Sequence, residues 1–224
     1  MTLAIAHRGD PVTAVENTMP AFEAALAAGA DMVELDVRLS RDGVPIVIHD
    51  ADLARIWNTP VPLNSLDAAA VADLRGPGDV GIPTLEAVAR RVVGADVQLM
   101  VDLPAEDAGV TAFELLTRLG LVERCVFAGE TAALRRHSET ARIALTWDNP
   151  QPPDDETFDF YRPEFFNPYF QLLTAGIADD VHERGMAISV WTVDHPRDMA
   201  AVITQGADAV ITNRIAELVA VVER

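Results

Sequence analysis

The chain contains no lysine: all 17 of its basic residues are arginines, against 35 acidic residues. A Schiff base, or a phosphate site built on lysine, is therefore excluded. The formal net charge is −18. Nucleic acids and anionic membranes both require clustered positive charge, so the charge argues against either as a partner.

Cysteine and long hydrophobic runs are also scarce. The single cysteine, Cys125, cannot form an internal disulfide. No apolar run reaches the roughly 18 to 20 residues that a membrane span requires, so stable membrane insertion is not expected. The first residues, MTLAIAHRGD, lack the basic start and apolar stretch of a signal peptide. We therefore expect a reduced, cytoplasmic protein, while its oligomeric state stays open.

Short apolar segments alternate with helical ones along the chain, a pattern typical of a parallel α/β fold. Eight segments are predicted strands: 3–7, 31–37, 97–103, 124–128, 142–147, 164–168, 186–193 and 207–212. Eight such units predict closure into a (β/α)8 TIM-type barrel, with an open doubly wound sheet as the rival. No glycine-rich GxGxxG turn follows a strand, which weakens a dinucleotide-binding interpretation.

Two segments interrupt this rhythm. Residues 38–82 form a small insertion after the second predicted strand, opening with a hairpin across the turn SRDGVP. Residues 148–163 are acidic and proline-rich, which predicts a surface loop. We find no linker or repeat, so residues 1–224 are predicted to be one barrel domain.

Polar residues gather where the predicted strands end. The first strand ends in His7-Arg8, and the second carries Glu34 and Asp36 two residues apart. The period-two alternation of a strand puts both carboxylates on one face. Asp102 lies near the end of the third strand, and the hairpin ends in His49-Asp50. Because catalytic groups of such barrels occupy the C-terminal strand ends, these residues are candidates for one site.

The residue types indicate a chemistry. Three carboxylates suit a hard divalent cation, Mg²⁺ or Ca²⁺ with Mn²⁺ possible, and no Cys/His cluster has zinc spacing. Two histidines beside such a cation serve as general acid and base. Arg8 presents a planar donor fork suited to a phosphate oxygen. This pattern favours metal-assisted hydrolysis of an anionic ester.

Structural interpretations compete with this one. His7 and His49 could be structural histidines at strand ends. Glu34 and Asp36 could form ion pairs with a neighbouring arginine and hold no metal. Asp102 could cap a helix, and Trp191 could be ordinary core packing.

At the level of whole segments, the sequence resembles the glycerophosphodiester phosphodiesterase family. The matching segments are AHRGD, ENTMPAFEAAL, GADMVELDVRLSRDGVPIVIHDADLAR, IPTLEAV, ISVWTVD and GADAVITN. They cover most of the first 90 residues and return over roughly the last 40, while the middle of the chain matches the family only in its alternation of strands and helices.

The resemblance implies a TIM-type barrel that cleaves glycerophosphodiesters to glycerol 3-phosphate and an alcohol. It implies that His7 and His49 form the acid/base pair and that Arg8 contacts the phosphate. It assigns Glu34 and Asp36 as metal ligands, and it places Trp191 beside the glycerol or leaving-group pocket.

The third predicted strand departs from the family pattern. The family's strand ends in a metal-binding Glu followed two residues later by a phosphate-binding Lys, whereas MVDLP has Asp102 and Pro104 there. We expect Asp102 to be the third ligand, and Arg38, on the face of Glu34 and Asp36, to be a possible substitute for the lysine. The departure keeps two alternatives open: a phosphodiesterase for lysophospholipids or other diesters, and a non-catalytic phosphodiester-binding barrel.

Overall fold

The computed structural model describes residues 2–222, which form short strands separated by helices. The strands are Leu3–Ala6 (β1), Met32–Leu39 (β2), Pro45–Val47 (β3), Asp52–Leu53 (β4), Thr59–Pro62 (β5), Gln98–Leu103 (β6), Cys125–Gly129 (β7), Ala144–Trp147 (β8), Phe165–Pro168 (β9), Ala187–Val190 (β10) and Ala209–Thr212 (β11). The α-helices are Met19–Ala27 (α1), Ala54–Trp57 (α2), Ala68–Ala72 (α3), Leu85–Val93 (α4), Asp107–Arg118 (α5), Ala132–His137 (α6), Asp155–Tyr161 (α7), Ala175–Glu183 (α8), Pro196–Thr204 (α9) and Ile215–Val222 (α10).

Eight parallel strands form the barrel in the order β7-β6-β2-β1-β11-β10-β9-β8. The first and last barrel strands pair directly, with Leu3 opposite Ala209 and Ala6 opposite Thr212. Between β7 and β8 the amide of Phe127 donates to the carbonyl oxygen of Arg142 at 2.8 Å. This contact nearly closes the ring. The predicted TIM-type barrel is confirmed, its eight strands fall within the predicted segments except for small end shifts, and the open-sheet rival is wrong.

Hydrophobic periodicity explains how the helices cover the barrel. In α4, the buried residues Leu85, Val88, Ala89 and Val92 recur at the spacing of one helical face. The Thr84 side chain accepts a hydrogen bond from the backbone amide of Ala87 and caps the helix start. Burial of each leucine or valine contributes about 1.5–3 kcal/mol. Helix packing therefore supports the strand ends that carry the polar residues.

The chain between β2 and α4 leaves the barrel and builds a second, smaller hydrophobic cluster. β3 pairs antiparallel with β2, with Val37 opposite Val47, which confirms the hairpin. The turn includes Gly43 at φ 78°, a left-handed conformation that favours glycine. The buried members of the cluster are Ile46, Ile48, Leu53, Trp57, Leu63, Val71 and Ile82. This cluster supports the segment that follows β3, where His49 lies.

One local prediction is corrected. Residues 148–163 are not entirely loop, because Asp155–Tyr161 form α7 with the Asp154 carboxylate accepting from the amide of Thr157. Phe158 holds this helix against Phe166, with ring centroids 5.9 Å apart. Before α1, the Thr18 hydroxyl donates to the carbonyl oxygen of Val15 and does not cap the helix.

No helix within residues 2–222 combines the length and apolar character needed to cross a membrane.

Candidate active site

One cavity of about 260 Å³ opens at the C-terminal ends of the barrel strands. Its ionisable lining residues are His7, Arg8, Glu34, Asp36, His49, Asp102 and Glu130. The structure therefore brings together both candidate histidines, all three candidate metal ligands and Arg8. Trp191 and Pro104 also line the cavity, whereas Arg38 is not among the lining residues.

The turn after β1 positions the first histidine and the arginine. Arg8 and Gly9 both have positive φ, 55° and 82°. A Cβ atom on Gly9 would lie 2.6 Å from the backbone carbon of Ala21, so only glycine fits beside α1. The turned backbone points the Arg8 amide at the Glu34 carboxylate, 2.8 Å away. Backbone strain at this turn therefore serves to aim polar groups into the cavity.

The three carboxylates crowd one another. Glu34 and Asp36 are only 4% and 2% exposed, and Asp36 lies opposite Asp102 in the register of β2 and β6. Burial, then the charges of Asp36 and Asp102, raises the pKa of Glu34 well above its ordinary value. Burial, then the charge of Asp36, raises the pKa of Asp102 to about 7. The site thus concentrates more negative charge than its neighbours offset.

Arg8 and Asn17 supply part of the compensation. The Arg8 Nε atom lies 3.1 Å from Asp36 Oδ2, but its N–H does not point at that oxygen, so the contact is an ion pair without a hydrogen bond. The Asn17 amide donates to the same oxygen at 2.7 Å. Arg8 also donates from Nη1 to Glu16 Oε1 at 2.9 Å. Asp36 is therefore engaged by the side chains of Arg8 and Asn17, while Glu34 and Asp102 remain undercompensated.

The donor set suits a divalent cation in its chemistry. Three carboxylates line one cavity, and the raised pKa values of Glu34 and Asp102 show the negative charge that a cation would offset. In residues 2–222, however, no three histidine, cysteine, aspartate or glutamate side chains are arranged to hold one metal ion. A cation held by all three carboxylates at once therefore requires a rearrangement of their side chains.

His7 is held by an amide. Its Nδ1 atom lies 2.7 Å from Asn213 Oδ1, and its Nε2 atom lies 3.9 Å from Glu34 Oε2. Burial, then the charge of Arg8, lowers the pKa of His7. Asn213 in turn donates from Nδ2 to Asp194 Oδ2 at 2.8 Å. The ring is thus partly buried and oriented from the end of β11.

His49 is held by a carboxylate. Its Nδ1 atom lies 2.8 Å from Asp50 Oδ1, and its carbonyl oxygen accepts from Arg38 Nε at 2.6 Å. Arg55 donates to Asp50 at 2.6 Å and to Glu16 at 2.7 Å. The hydrogen bond from Arg55 is the largest of the effects that lower the pKa of Asp50. Arg38 therefore contacts the backbone at His49. From there its charge opposes, without cancelling, the rise in the pKa of Asp102 that burial and Asp36 cause.

The opposite wall of the cavity is largely uncharged. The Trp191 indole N–H donates to the carbonyl oxygen of Asn167 at 2.9 Å, and its ring lies 5.6 Å from that of Tyr169. Ser189 donates to Asn167 Oδ1 at 2.8 Å, which fixes that amide. These bonds give Trp191 a defined face toward the cavity.

Sequence reasoning misses several residues of the site. The contacts of Asn17, Asn213 and Asp194 in the site are not predicted from the sequence. A faint indication exists for Asn17, because an asparagine in a loop tolerates the positive φ of 57° found there. Nothing local predicts the contact between Arg55 and Glu16, since 39 residues separate them.

Comparison with known proteins identifies the chain's relatives. Residues 7–217 match the model of the glycerophosphoryl diester phosphodiesterase family. A glycerophosphodiester phosphodiesterase of Caldanaerobacter subterraneus is 25% identical over 95% of this chain and 94% of its own length.

Solved structures show the same fold. That of a glycerophosphodiester phosphodiesterase from Agrobacterium tumefaciens is 25% identical with a TM-score of 0.85, covering 98% of this chain and 100% of the other. An Oleispira antarctica phosphodiesterase in complex with the product sn-glycerol-3-phosphate has a TM-score of 0.89 at 19% identity, covering 98% and 96%.

Proposed function

Because the chain belongs to the glycerophosphoryl diester phosphodiesterase family and is a phosphoric diester hydrolase, we propose that it cleaves glycerophosphodiesters to glycerol 3-phosphate and an alcohol. The observation that carries the proposal is the cavity that His7, His49 and three carboxylates line together. The product bound to the Oleispira phosphodiesterase, sn-glycerol-3-phosphate, is consistent with it.

The two histidines handle the protons of the reaction. One imidazole takes a proton from the nucleophile, which is water or a neighbouring hydroxyl of the substrate, as its oxygen bonds to phosphorus. The other gives a proton to the alcohol oxygen as the bond between that oxygen and phosphorus breaks. A cyclic phosphate formed by a substrate hydroxyl is opened by water while the two imidazoles exchange roles, which returns both to their starting states. Direct attack by water leaves the base protonated and the acid without its proton, and exchange of protons with solvent restores both. Each route consumes one water.

Arg8 and a divalent cation offset the charge of the phosphate. Glu34, Asp36 and Asp102 would hold Mg²⁺, Ca²⁺ or Mn²⁺, which would supply positive charge to offset that of the phosphate. Arg8 donates toward the charge that develops at phosphorus. Since Pro104 carries no charge, Arg8 is the only arginine among the described residues that line the cavity.

The first experiment is a panel of diesters with added metals, with and without chelator. We expect glycerol 3-phosphate from glycerophosphocholine or a related diester, and loss of that release with chelator. Cleavage of lysophospholipids alone would favour the alternative substrate class. Tight phosphodiester binding without turnover under any metal would favour the non-catalytic barrel.

The second experiment substitutes His49. His49→Ala should lower kcat by about 10² or more, the usual effect of losing a general acid or base. The matched control is His137→Ala, because His137 lies on α6 beside Glu114 and outside the cavity. Unchanged turnover in His49→Ala would refute the role assigned to that residue.

A further inference from the structure

The neighbours of His7 determine which of its ring nitrogens carries the proton. Asp194 is surrounded by donors: its Oδ1 accepts from the backbone N–H of Asn213 at 2.8 Å and from the Thr212 hydroxyl at 3.1 Å. Its Oδ2 accepts from Asn213 Nδ2 at 2.8 Å. Three hydrogen bonds identify this group as a carboxylate that accepts at both oxygens.

The Asp194 carboxylate fixes the orientation of the Asn213 side-chain amide. If that amide were flipped, its oxygen would face the Asp194 carboxylate, and two acceptors would oppose each other. The amide must therefore turn Nδ2 toward Asp194 and Oδ1 toward His7. Because Oδ1 only accepts, the 2.7 Å contact with His7 Nδ1 requires a proton on Nδ1.

We propose that Asp194 and Asn213 form a positioning pair that holds His7 in its Nδ1–H tautomer, so that Nε2 is the atom that accepts a proton in the cavity. The inference rests on the proposed function, which it deepens by assigning His7 as the base. The attacking oxygen loses its proton to His7 Nε2 as it bonds to phosphorus, while Nδ1–H stays bonded to Asn213. His49 then gives its proton to the departing alcohol oxygen.

The partners of the two histidines differ in a way that supports this division. A neutral amide holds His7, whereas the Asp50 carboxylate holds His49. A carboxylate partner stabilises a protonated ring, and a neutral amide oxygen does so far less. The amide therefore suits the base role proposed for His7, and the carboxylate suits the acid role proposed for His49.

Long-range ¹H–¹⁵N correlation spectra of protein labelled at histidine test the tautomer directly. The His7 signals are identified by their absence in His7→Gln. We expect the pattern of a ring protonated at Nδ1 in the wild-type protein. A ring protonated at Nε2 alone would overturn the inference, whether or not the protein hydrolyses diesters.

Variants of the pair test its effect on turnover. Asn213→Ala and Asp194→Asn should release the tautomer and lower kcat roughly 10- to 100-fold, with KM little changed, as expected for a residue that orients a reacting group. Asn213→Asp should also lower kcat, because it places two carboxylates together. Retention of both the Nδ1–H pattern and full kcat in Asp194→Asn would contradict the proposal.

A reciprocal exchange provides the rescue. In the double variant Asp194→Asn with Asn213→Asp, the new carboxylate accepts from His7 while the new amide donates to it. We expect kcat within a few-fold of wild type and recovery of the Nδ1–H pattern. A double variant no better than the single variants, although folded by circular dichroism, would count against the pair.

Asp208→Asn is the matched control. Asp208 accepts from His182 Nε2 at 2.8 Å and precedes β11, at the opposite end of the barrel from the cavity. Its substitution should change the His182 signals and leave those of His7, and kcat, as in the wild type. Absence of hydrolysis by the wild-type protein would refute the proposed function and leave the spectrum to decide the tautomer.

Discussion

The environment of Asp102 makes the stability of the protein depend on pH. Its carboxyl is crowded by the charge of Asp36, and with burial this raises its pKa to about 7. In the unfolded chain the carboxyl loses its proton near pH 4. Between these values the folded state binds more protons than the unfolded state, so this residue's contribution to stability falls as the pH rises from about 4 to about 7.

Asp102→Asn removes this titration. With chelator present, we expect the unfolding free energy of the variant minus that of the wild type to increase by roughly 1.4 kcal/mol per pH unit between about pH 4 and about pH 7. Above that range this difference should stay constant. Urea denaturation at several pH values measures the difference. The control is Asp179→Asn on the exposed side of α8. A difference that is constant with pH would show that the Asp102 carboxyl titrates alike in both states.

At this scale the sequence predicts the residues on strands better than those on turns. Strand alternation alone puts Glu34 and Asp36 on one face, and the structure has both in the cavity. Asn17 and Asn213 could not be predicted in the same way, because their contacts depend on how distant loops meet. Arg38 shows a further limit: alternation predicts its face, but its side chain extends to the His49 carbonyl oxygen.

Between elements, Arg55 joins the turn after β1 to the segment after β3. It binds Glu16, which holds Arg8, and Asp50, which holds His49. Arg55 is half exposed, so its ion pairs add little to global stability. Its larger effect is on the position of Arg8 relative to His49.

Arg55→Ala should therefore lower kcat about tenfold or more while changing the melting temperature little. Arg41→Ala is the matched control, because Arg41 makes a similarly exposed ion pair with Asp67 away from the cavity. In a His49→Ala background, Arg55→Ala should cost less kcat than it does alone, since part of its effect passes through His49. Equal losses in both backgrounds would contradict a role through that histidine.

Elements are predictable from sequence where a single period persists. The barrel strands are short apolar runs, and α4 repeats its apolar residues at helical spacing. In the segment that forms α7, flanking prolines and a high acidic content obscure the helix. Two features stabilise this helix. The Asp154 cap depends on the local sequence, and the burial of Phe158 depends on tertiary packing.

For the whole molecule, the dominant feature is a net charge of −18. Like charges on a compact protein repel more than on an expanded chain, and dissolved salt screens that repulsion. The exposed ion pairs that salt also weakens contribute little individually. Repulsion between like charges therefore affects stability more than the exposed ion pairs do.

We expect the melting temperature to rise as sodium chloride is increased from about 0.01 M to about 0.15 M, over which the screening length falls from about 30 to about 8 Å. Scanning calorimetry measures this. Tetramethylammonium chloride should give the same rise, because its bulky cation screens without binding the carboxylates. A rise with sodium alone would indicate a bound ion, and a fall with both salts would show that the ion pairs outweigh repulsion.

The fold was the most predictable property of the whole molecule, because eight repeats of one pattern each constrain the same architecture. The hydrophobic cluster around Trp57 was not predicted, because the sequence between β2 and α4 is irregular and its contacts are specific to the folded chain.

Because that cluster is separate from the barrel core, different parts of the fold support the two imidazoles. His7 follows a barrel strand, and His49 lies in the segment between β2 and α4, an appended unit with its own hydrophobic packing. We therefore expect substitutions inside the appended unit to change the distance between His7 and His49 while leaving the barrel intact. For directed evolution, this unit is the part of the chain whose redesign would move His49 without altering β2 and β6, the strands that carry the three carboxylates.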